Sequence, residues 1–389
     1  LNGLWKFHYA KNYESTIPGF ETPEYDCTKW DDIRVPAHIQ MEGYDAPQYA
    51  NVQYPWEGRE EIQPGEIPER FNPTASYVKY FEVPDQMKGK RLFVSFQGAE
   101  SGIAVWLNGT FLGYSEDTFT PSEFDLTPYI QETGNRLCVE VYKRSSAAWI
   151  EDQDFFRFSG IFRSVYLYAK PKVHVRDIWL KAELLSGNTT GQLTPVIKLD
   201  GETEGAKVHL RLTDREGYAL YDDFTDGSAI TLEGIHPWSH EKPILYHAVL
   251  TLQDASGAVQ EVVPYDIGFR RFEMLNGVMC LNGKRIVFNG VNRHEWNPKK
   301  GRAIDADDMH AAMAVFKKNN INAVRTCHYP NQSLWYDLCD QNGIYMIDET
   351  NLESHGSWQK LGVVEPSWNV PGSLPEWRDC VVDRARSMF

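Results

Sequence analysis

The chain has 389 residues, a formal net charge of −15 and 13% aromatic residues. At roughly 150 residues per domain, this length predicts two to three domains, and the strand patterns below favour three. An acidic chain without a basic run argues against nucleic acid as a partner, and the lack of about 18 consecutive apolar residues argues against membrane insertion.

Residues 1–170 read as short strands separated by turns, with no amphipathic helix between them. Alternating segments such as YVKYFEVP, KRLFVSFQG and NRLCVEVYK, punctuated by Gly and Pro, predict an antiparallel jelly-roll sandwich. Within it, Asn108 and Gly109 predict a tight hairpin turn, because both residue types tolerate a positive φ.

Two loops of this domain are less regular. The first, GYDAPQYANVQYPW, carries Asp45, Asn51 and four aromatic residues. The second, AAWIEDQDFFRFSGIF, places Glu151, Asp152 and Asp154 within four positions. Carboxylates this close repel one another unless a cation or a hydrogen-bond donor is near. An ion or sugar hydroxyls would supply that partner, and an acidic surface loop over buried aromatics is an equally good interpretation.

Residues 171–268 continue as plainer strands at a spacing of about 8 to 12 residues, which predicts an immunoglobulin-like sandwich. This segment offers no cluster of chemically capable side chains, so we interpret it as a spacer and orienting domain. Residues 269–389 open with a hairpin at Asn276 and Gly277 and then alternate strands with helices. That alternation is the start of a (β/α)8 TIM barrel, which needs about 250 residues in all.

The predicted fold class is therefore multidomain β plus α/β: a jelly-roll sandwich, an immunoglobulin-like sandwich and the first part of a TIM barrel. About three of the eight barrel units fit into residues 269–389. A barrel interrupted there exposes a sheet edge and part of its core, so we expect this part to be unstable alone.

Helix signals in the barrel segment are specific. Asp305 with Asp308 predicts a capping box, and Gly343 predicts the end of a second helix that starts near Ser333. A third helix is predicted from about Pro375. The apolar faces predicted for the first and third helices are Met309, Met313 and Phe316, and Trp377, Val381 and Met388.

Each barrel strand ends in polar residues, and chemistry sits at the carboxyl ends of strands in such sheets. These residues are Asn292, Arg293, His294 and Glu295; Arg325, His328 and Asn331; and Asp348, Glu349, Glu353 and His355. By itself, Glu353-x-His355 is a weak metal signal, and a lone histidine is more often an ordinary hydrogen-bonded residue.

Six strings closely resemble, in the same order, the large bacterial β-galactosidases of glycoside hydrolase family 2. They are GYDAPQYANVQYP, PSEFDLTPYI, EDQDFFRFSGIFRSVYL, GVNRHEWNP, NAVRTCHYPN and YMIDETNLESHG. The resemblance spans essentially the whole chain. It implies the same three domains and, in the full-length enzyme, hydrolysis of terminal non-reducing β-D-galactosides such as lactose by a retaining double displacement.

The resemblance also implies roles for single residues. Asn51 and Asp154 match the jelly-roll residues that reach the galactosyl hydroxyls. His294 and His328 match the histidines that line the sugar site and stabilise the transition state, and Arg325 matches the arginine beside the nucleophile. Asn, Asp and neutral His supply the donors and acceptors that a hydroxyl-rich substrate needs.

Two metal ions are implied in the same way. Glu353 and His355 match two ligands of an active-site Mg²⁺, and Asp154 lies beside Na⁺ in the family. Mg²⁺ prefers oxygen ligands and keeps several waters, so a single imidazole ligand is tolerable but unusual. Both ligand sets are incomplete within this chain.

The two catalytic glutamates of the family have no match among the residues of this sequence. Retaining glycosidases need two carboxyl groups about 5 to 5.5 Å apart. In the family both are glutamates on later barrel strands, and Glu349, Glu353 and Glu365 do not match them. We expect both glutamates beyond Phe389 and expect this chain to be an inactive fragment.

Alternatives remain open. One is a β-glucuronidase or β-mannosidase of the same family, and another is a non-catalytic carbohydrate-binding or complementing fragment. Asp154 and Asn51, rather than a cation, stand in the sugar-facing loops, which favours a neutral galactoside. A homo-oligomer is expected for the full-length protein. Six cysteines without a C-x-x-C pair favour a reducing, cytoplasmic location, although the chain begins at Leu1 and an upstream targeting segment is left open.

Overall fold

The computed structural model describes residues 1–357, 370–372 and 374–388, so Glu365 and Phe389 lie outside the described residues. Three separate clusters of buried apolar residues lie in the jelly-roll, the immunoglobulin-like and the barrel segments. The predicted class, β sandwiches followed by the start of an α/β barrel, is confirmed. Within the described ranges, no helix has the length and apolar character needed to cross a membrane.

The jelly-roll segment contains fourteen strands. They are β1 (Gly3–Ala10), β2 (Asp31–Val35), β3 (Gln48–Ala50), β4 (Thr74–Phe81), β5 (Arg91–Phe96), β6 (Ala99–Glu100), β7 (Gly102–Leu107), β8 (Thr110–Glu116), β9 (Ser122–Asp125), β10 (Asn135–Tyr142), β11 (Glu151–Asp152), β12 (Phe155–Arg157), β13 (Gly160–Ile161) and β14 (Val165–Lys170). A six-stranded sheet, β2-β1-β4-β10-β7-β8, shares one core with the sheet β14-β5-β9. The predicted hairpin joins β7 to β8, with φ of 51° at Asn108 and 86° at Gly109.

The immunoglobulin-like segment contains seven strands in two sheets, β15-β16-β19 and β18-β17-β20-β21, around a second core. They are β15 (Val173–Leu184), β16 (Thr190–Gly201), β17 (Lys207–Thr213), β18 (Ala219–Thr225), β19 (Ile230–Glu233), β20 (Tyr246–Gln253) and β21 (Val259–Ile267). Trp238 from this segment donates its Nε1–H to the backbone oxygen of Asp340 in the barrel at 2.8 Å. This contact fits the predicted orienting role.

The barrel segment begins with an antiparallel sheet and continues with parallel strands. Its strands are β22 (Phe272–Leu275), β23 (Val278–Leu281), β24 (Lys284–Arg285), β25 (Gly290–Arg293), β26 (Ala323–Thr326), β27 (Tyr345–Ile347) and β28 (Glu353–Ser354). Strands β25, β26 and β27 are adjacent and parallel. The first parallel strand, β25, begins at Gly290 rather than near Lys284. Lys284 and Arg285 instead form β24, which pairs with β23 in the antiparallel sheet.

The described part of this segment has three α-helices: α1 (Ala306–Lys318), α2 (Ser333–Asn342) and α3 (Arg378–Met388). The capping box is confirmed, since Asp305 accepts from the Asp308 amide and Asp308 accepts from the Asp305 amide. Helix α2 ends at Gly343, as predicted, with a φ of 70°. The apolar face predicted for the third helix is only partly right. On α3 itself the buried residue is Arg384, because it pairs with Glu151 of the jelly-roll segment.

We expect Gly343→Ala to destabilise the fold by roughly 2–5 kcal/mol, because a left-handed residue with a Cβ costs about 1–2 kcal/mol and overpacking adds about 1–3. The added Cβ would meet the backbone oxygen of His240 in the immunoglobulin-like segment. Gly257→Ala is the matched control, because its φ of +87° is similar but nothing lies within 4 Å of its Cβ position. Urea unfolding of both variants measures the difference. Equal losses would contradict the steric explanation.

Candidate functional site

The carboxyl ends of the three parallel strands bring the predicted polar residues to one edge. The register pairs Asn292 with Arg325, and Arg325 with Ile347, which immediately precedes the acidic pair after β27. Side chains that follow these positions therefore share the edge where barrel chemistry is found. The structure places His294, Arg325 and His328 together, as the sequence predicted for this edge.

Arg325 is the centre of a polar cluster at this edge. Its Nε–H donates to Glu349 Oε1, and its Nη1 lies 3.5 Å from Asn292 Oδ1. His328 Nδ1 lies 3.1 Å from Glu349 Oε2 and 3.3 Å from an Arg325 amino group. His328 Nδ1 therefore lies between a carboxylate that accepts and a guanidinium that donates, and the tautomer of the ring decides which of the two it bonds. Glu349 thus lies against both side chains.

From its sequence, Glu349 was predicted only to stand at a strand end, without a role of its own. The signal that would have found it is its position directly after the third strand, beside an arginine at the end of the second. Two strands in register bring such residues together, but sequence alone does not give the register.

His294 stands next to His328, with ring centroids 5.4 Å apart and planes at 76°. Desolvation by surrounding protein atoms, followed by the nearby His328 and Arg302, lowers the pKa of His294 to about 4. The Asp154 carboxylate of the jelly-roll segment opposes this shift through its negative charge. At neutral pH the His294 ring is therefore neutral and can both donate and accept.

We expect the His294 ring to titrate near pH 4 rather than near the ordinary value of about 6.5. The unfolded chain takes up this proton first, so protonation of His294 opposes folding as the pH falls from about 6.5 towards 4. NMR titration of the histidine Cε1–H resonances measures the midpoint, and His294→Gln assigns the resonance. A midpoint near 6.5 would contradict the desolvated environment.

Asn51 and Asp154 are brought together by a short two-stranded sheet. Strand β3 pairs with β12 so that Ala50 faces Phe155, and Asn51 and Asp154 are the residues that directly follow and precede this last pair. The Tyr49 hydroxyl donates to Asp154 Oδ1 at 2.5 Å. Asn51 Oδ1 is buried and has no hydrogen-bond partner within the described part of the chain. A buried acceptor without a partner is costly, which is consistent with a site built for an external donor.

Glu151 and Asp152 form buried ion pairs that their position in the sequence does not predict. Glu151 accepts from Arg384 at 3.0 Å, and Asp152 accepts from Arg157 at 2.5 Å. Both residues are buried, so the interpretation of an acidic surface loop is wrong for them. Burial raises the pKa of both carboxyls, and the arginine partners oppose that rise. Their mutual repulsion is relieved by arginines, and neither an ion nor a sugar is needed.

Glu353 and His355 lie close to each other in the chain that follows β27. Glu353 Oε1 lies 3.9 Å from His355 Nδ1, and its Oε2 lies 3.9 Å from His328 Nδ1. A cation at about 2.0–2.1 Å from each atom could contact both Glu353 and His355, but at an angle wider than the 90° between neighbouring ligands of octahedral Mg²⁺. The pair therefore supplies two candidate ligands, and the magnesium ion stays a prediction. For Na⁺, the one carboxylate of Asp154 does not define a site, and that ion stays a prediction.

A second group of possible metal ligands, Cys327, His328 and Glu349, has its ligand atoms within 4.8 Å of one another. The Arg325 guanidinium lies among them, with Nη1 3.3 Å from Cys327 Sγ. Burial also raises the pKa of the Cys327 thiol. A fixed positive charge and a protonated thiol both disfavour a metal cation at this group.

Three family models match the chain in succession. They are "Glycosyl hydrolases family 2, sugar binding domain" over residues 1–171, "Glycosyl hydrolases family 2" over 173–270, and "Glycosyl hydrolases family 2, TIM barrel domain" over 272–389. The three models follow the order of the jelly-roll, immunoglobulin-like and barrel segments.

Several curated relatives are similar over the whole chain. Identity is 54% to a β-galactosidase of Halalkalibacterium halodurans and 54% to one of Clostridium acetobutylicum, covering 100% of the chain but 39% and 44% of those proteins. It is 47% to the β-galactosidase large subunit of Latilactobacillus sakei, of which 65% is covered. The chain thus spans between two fifths and two thirds of the length of these relatives.

Among solved structures, a β-glucuronidase of Ruminococcus gnavus superposes with a TM-score of 0.80. The superposition covers 100% of this chain and 63% of the glucuronidase chain, at 20% sequence identity. At this identity the superposition supports the shared fold and carries no information on substrate.

Proposed function

Because the chain belongs to glycosyl hydrolase family 2, we propose that the complete protein is a retaining β-galactosidase and that these residues build one wall of its active site. The observation that carries the proposal is the identity of 45–54% to β-galactosidases along the whole chain. The geometry supports it, since His294, Arg325 and His328 cluster at one barrel edge and the charge of Asp154 from the jelly-roll segment acts on His294.

We assign substrate contacts to four residues. Asn51 and Asp154 would bind hydroxyls of the galactosyl ring, and His294 and His328 would contact the ring from the barrel side. Imidazole, amide and carboxylate groups together provide both donors and acceptors for hydroxyls. Arg325 acts as a positioning residue, because its guanidinium holds Glu349 and His328.

We assign Mg²⁺ to Glu353 and His355 and Na⁺ to the neighbourhood of Asp154. A divalent cation bound by Glu353 and His355 would add positive charge beside the reacting centre, where it stabilises developing negative charge. The approach of Glu353 to both His355 and His328 supports the first assignment. The second rests on the family resemblance alone.

The two glutamates that break the bond are assigned to barrel strands that follow residue 389. The described barrel has three parallel strands, and Ile347 on its outer strand β27 is 62% exposed. Such a strand edge is normally covered by the next strand of a closed barrel. The greater length of the relatives supports the same assignment.

Comparing two proteins tests the proposal: the complete enzyme, and a protein of these 389 residues. With Mg²⁺ and Na⁺ present, we expect the complete enzyme to hydrolyse an aryl β-galactoside faster than the aryl glucuronide and mannoside, with retention seen by NMR. The 389-residue protein should show no turnover. Preferred cleavage of the glucuronide would contradict the galactoside assignment, and turnover by the short protein would contradict the placement of the glutamates.

A homo-oligomer and a cytoplasmic location are further proposals for the complete protein. Some relatives are named as large subunits, which describes those proteins as parts of multi-subunit enzymes. Light scattering of the purified complete protein measures its assembly, and fractionation of the source cells measures its location.

A further inference from the structure

Asp152 of the jelly-roll segment ties that segment to the residues beside the proposed magnesium ligands. The side chain of Asp152 is 1% exposed. Its Oδ2 accepts the backbone N–H of Gly356 at 2.6 Å, and its Oδ1 accepts from Arg157 at 2.5 Å. The carboxylate is therefore held between an arginine of one domain and a backbone amide of the other.

The same stretch of barrel chain is docked by backbone pairing. Strand β28 runs parallel to β11, and the Glu353 N–H donates to the Ile150 oxygen at 2.7 Å. Packing around Gly356 is close, because a Cβ there would lie 2.6 Å from the Tyr54 nitrogen and 2.8 Å from Asp152 Oδ2. The segment has no room to shift towards the jelly-roll.

The position of Gly356 matters because it directly follows His355. The 3.9 Å approach of His355 Nδ1 to Glu353 Oε1 depends on the backbone on both sides of His355. That backbone is fixed at Glu353 by Ile150 and at Gly356 by Asp152. Without the hydrogen bond to Asp152, the backbone at Gly356, and with it the adjacent His355, would be held less firmly.

We propose that Asp152 is a positioning residue for the magnesium site, acting through the Gly356 amide, with Arg157 fixing the Asp152 carboxylate. This inference rests on the proposed function, which places Mg²⁺ at Glu353 and His355. The jelly-roll segment would then have two functions in one loop. Asp152 would set the affinity for the metal, and Asp154, two residues further along, would contact the sugar.

The test is Asp152→Asn in the complete enzyme, because asparagine keeps the size but cannot accept from both Arg157 and Gly356. Glu100→Gln is the matched control. Like Asp152, Glu100 is a buried acid of the jelly-roll segment that accepts from an arginine, in this case Arg302 of the barrel segment at 2.5 Å. Its other oxygen accepts from the Phe158 amide rather than from the chain around His355. Calorimetric titration with Mg²⁺ should show about 10-fold or greater weakening for Asp152→Asn, in the range known for residues that support metal ligands. Binding by Glu100→Gln should match the parent.

Equal Mg²⁺ affinity of Asp152→Asn and the parent, or equal weakening in both variants, would overturn the inference. If Asp152→Asn does not fold, Arg157→Lys is titrated in its place. Weaker binding by that variant supports the inference, and parent-like binding overturns it. A parent enzyme that cleaves galactoside yet binds no Mg²⁺ would refute this inference alone, whereas a parent that does not cleave galactoside would refute the proposed function.

Discussion

Glu295→Ala should destabilise the folded protein by about 3–5 kcal/mol, the usual consequence of leaving one partner of a buried ion pair alone. Glu295 is fully buried, and its Oε2 accepts from Arg163 of the jelly-roll segment at 2.8 Å. Its Oε1 accepts the Gln332 backbone N–H at 2.9 Å, at the start of helix α2. Without the Glu295 carboxylate, the Arg163 guanidinium, which is 3% exposed, has lost its negatively charged partner.

Two comparisons separate charge burial from loss of packing. Asp177→Ala breaks the exposed pair with Lys198 and should leave stability nearly unchanged, because solvent screens that pair. The double variant Glu295→Met with Arg163→Met removes both charges and should be more stable than Glu295→Met alone. Urea midpoints from tryptophan fluorescence measure all variants. A double variant no more stable than the single one would show that packing, rather than the unpaired charge, dominates.

The parts of the fold that sequence predicted well are those set by local chemistry. Asp305 and Asp308 lie three positions apart, and the two bonds of their capping box involve only their own side chains and backbone amides. Gly343 and the Asn-Gly turns adopt positive φ because few other residues can. These cues need no knowledge of distant residues. The types of the three domains were likewise predictable from the spacing of strands and helices along the chain.

The parts that failed depend on contacts between distant positions. Glu151 and Arg384 are 233 residues apart, so neither the buried arginine on α3 nor the structural role of the acid could be inferred from its own neighbourhood. Glu349 likewise gains its role only when β26 and β27 lie side by side. Residue types at the site were predictable, but the links between the two domains that hold them were not.

In the complete enzyme, Asp154→Ala should lower kcat/KM for an aryl β-galactoside by about 10- to 150-fold. A hydrogen bond to a charged group contributes about 1.5–3 kcal/mol, and each 1.36 kcal/mol corresponds to tenfold in rate. The negative charge of Asp154 acts on His294, and its Oδ1 is oriented by the Tyr49 hydroxyl. Tyr49→Phe keeps the ring and should have a smaller effect, while Asp177→Asn, on the distant immunoglobulin-like segment, should have none.

The decisive measurement pairs these variants with aryl galactosides that each lack one hydroxyl. If Asp154 binds a particular hydroxyl, the substrate lacking it is poor for the parent but no worse than the full galactoside for Asp154→Ala. The two deletions then remove the same interaction, so their effects on kcat/KM are not additive. Strict additivity for every deoxy substrate would show that Asp154 contacts no hydroxyl. In that case its effect would come through the barrel histidines or through a bound cation instead.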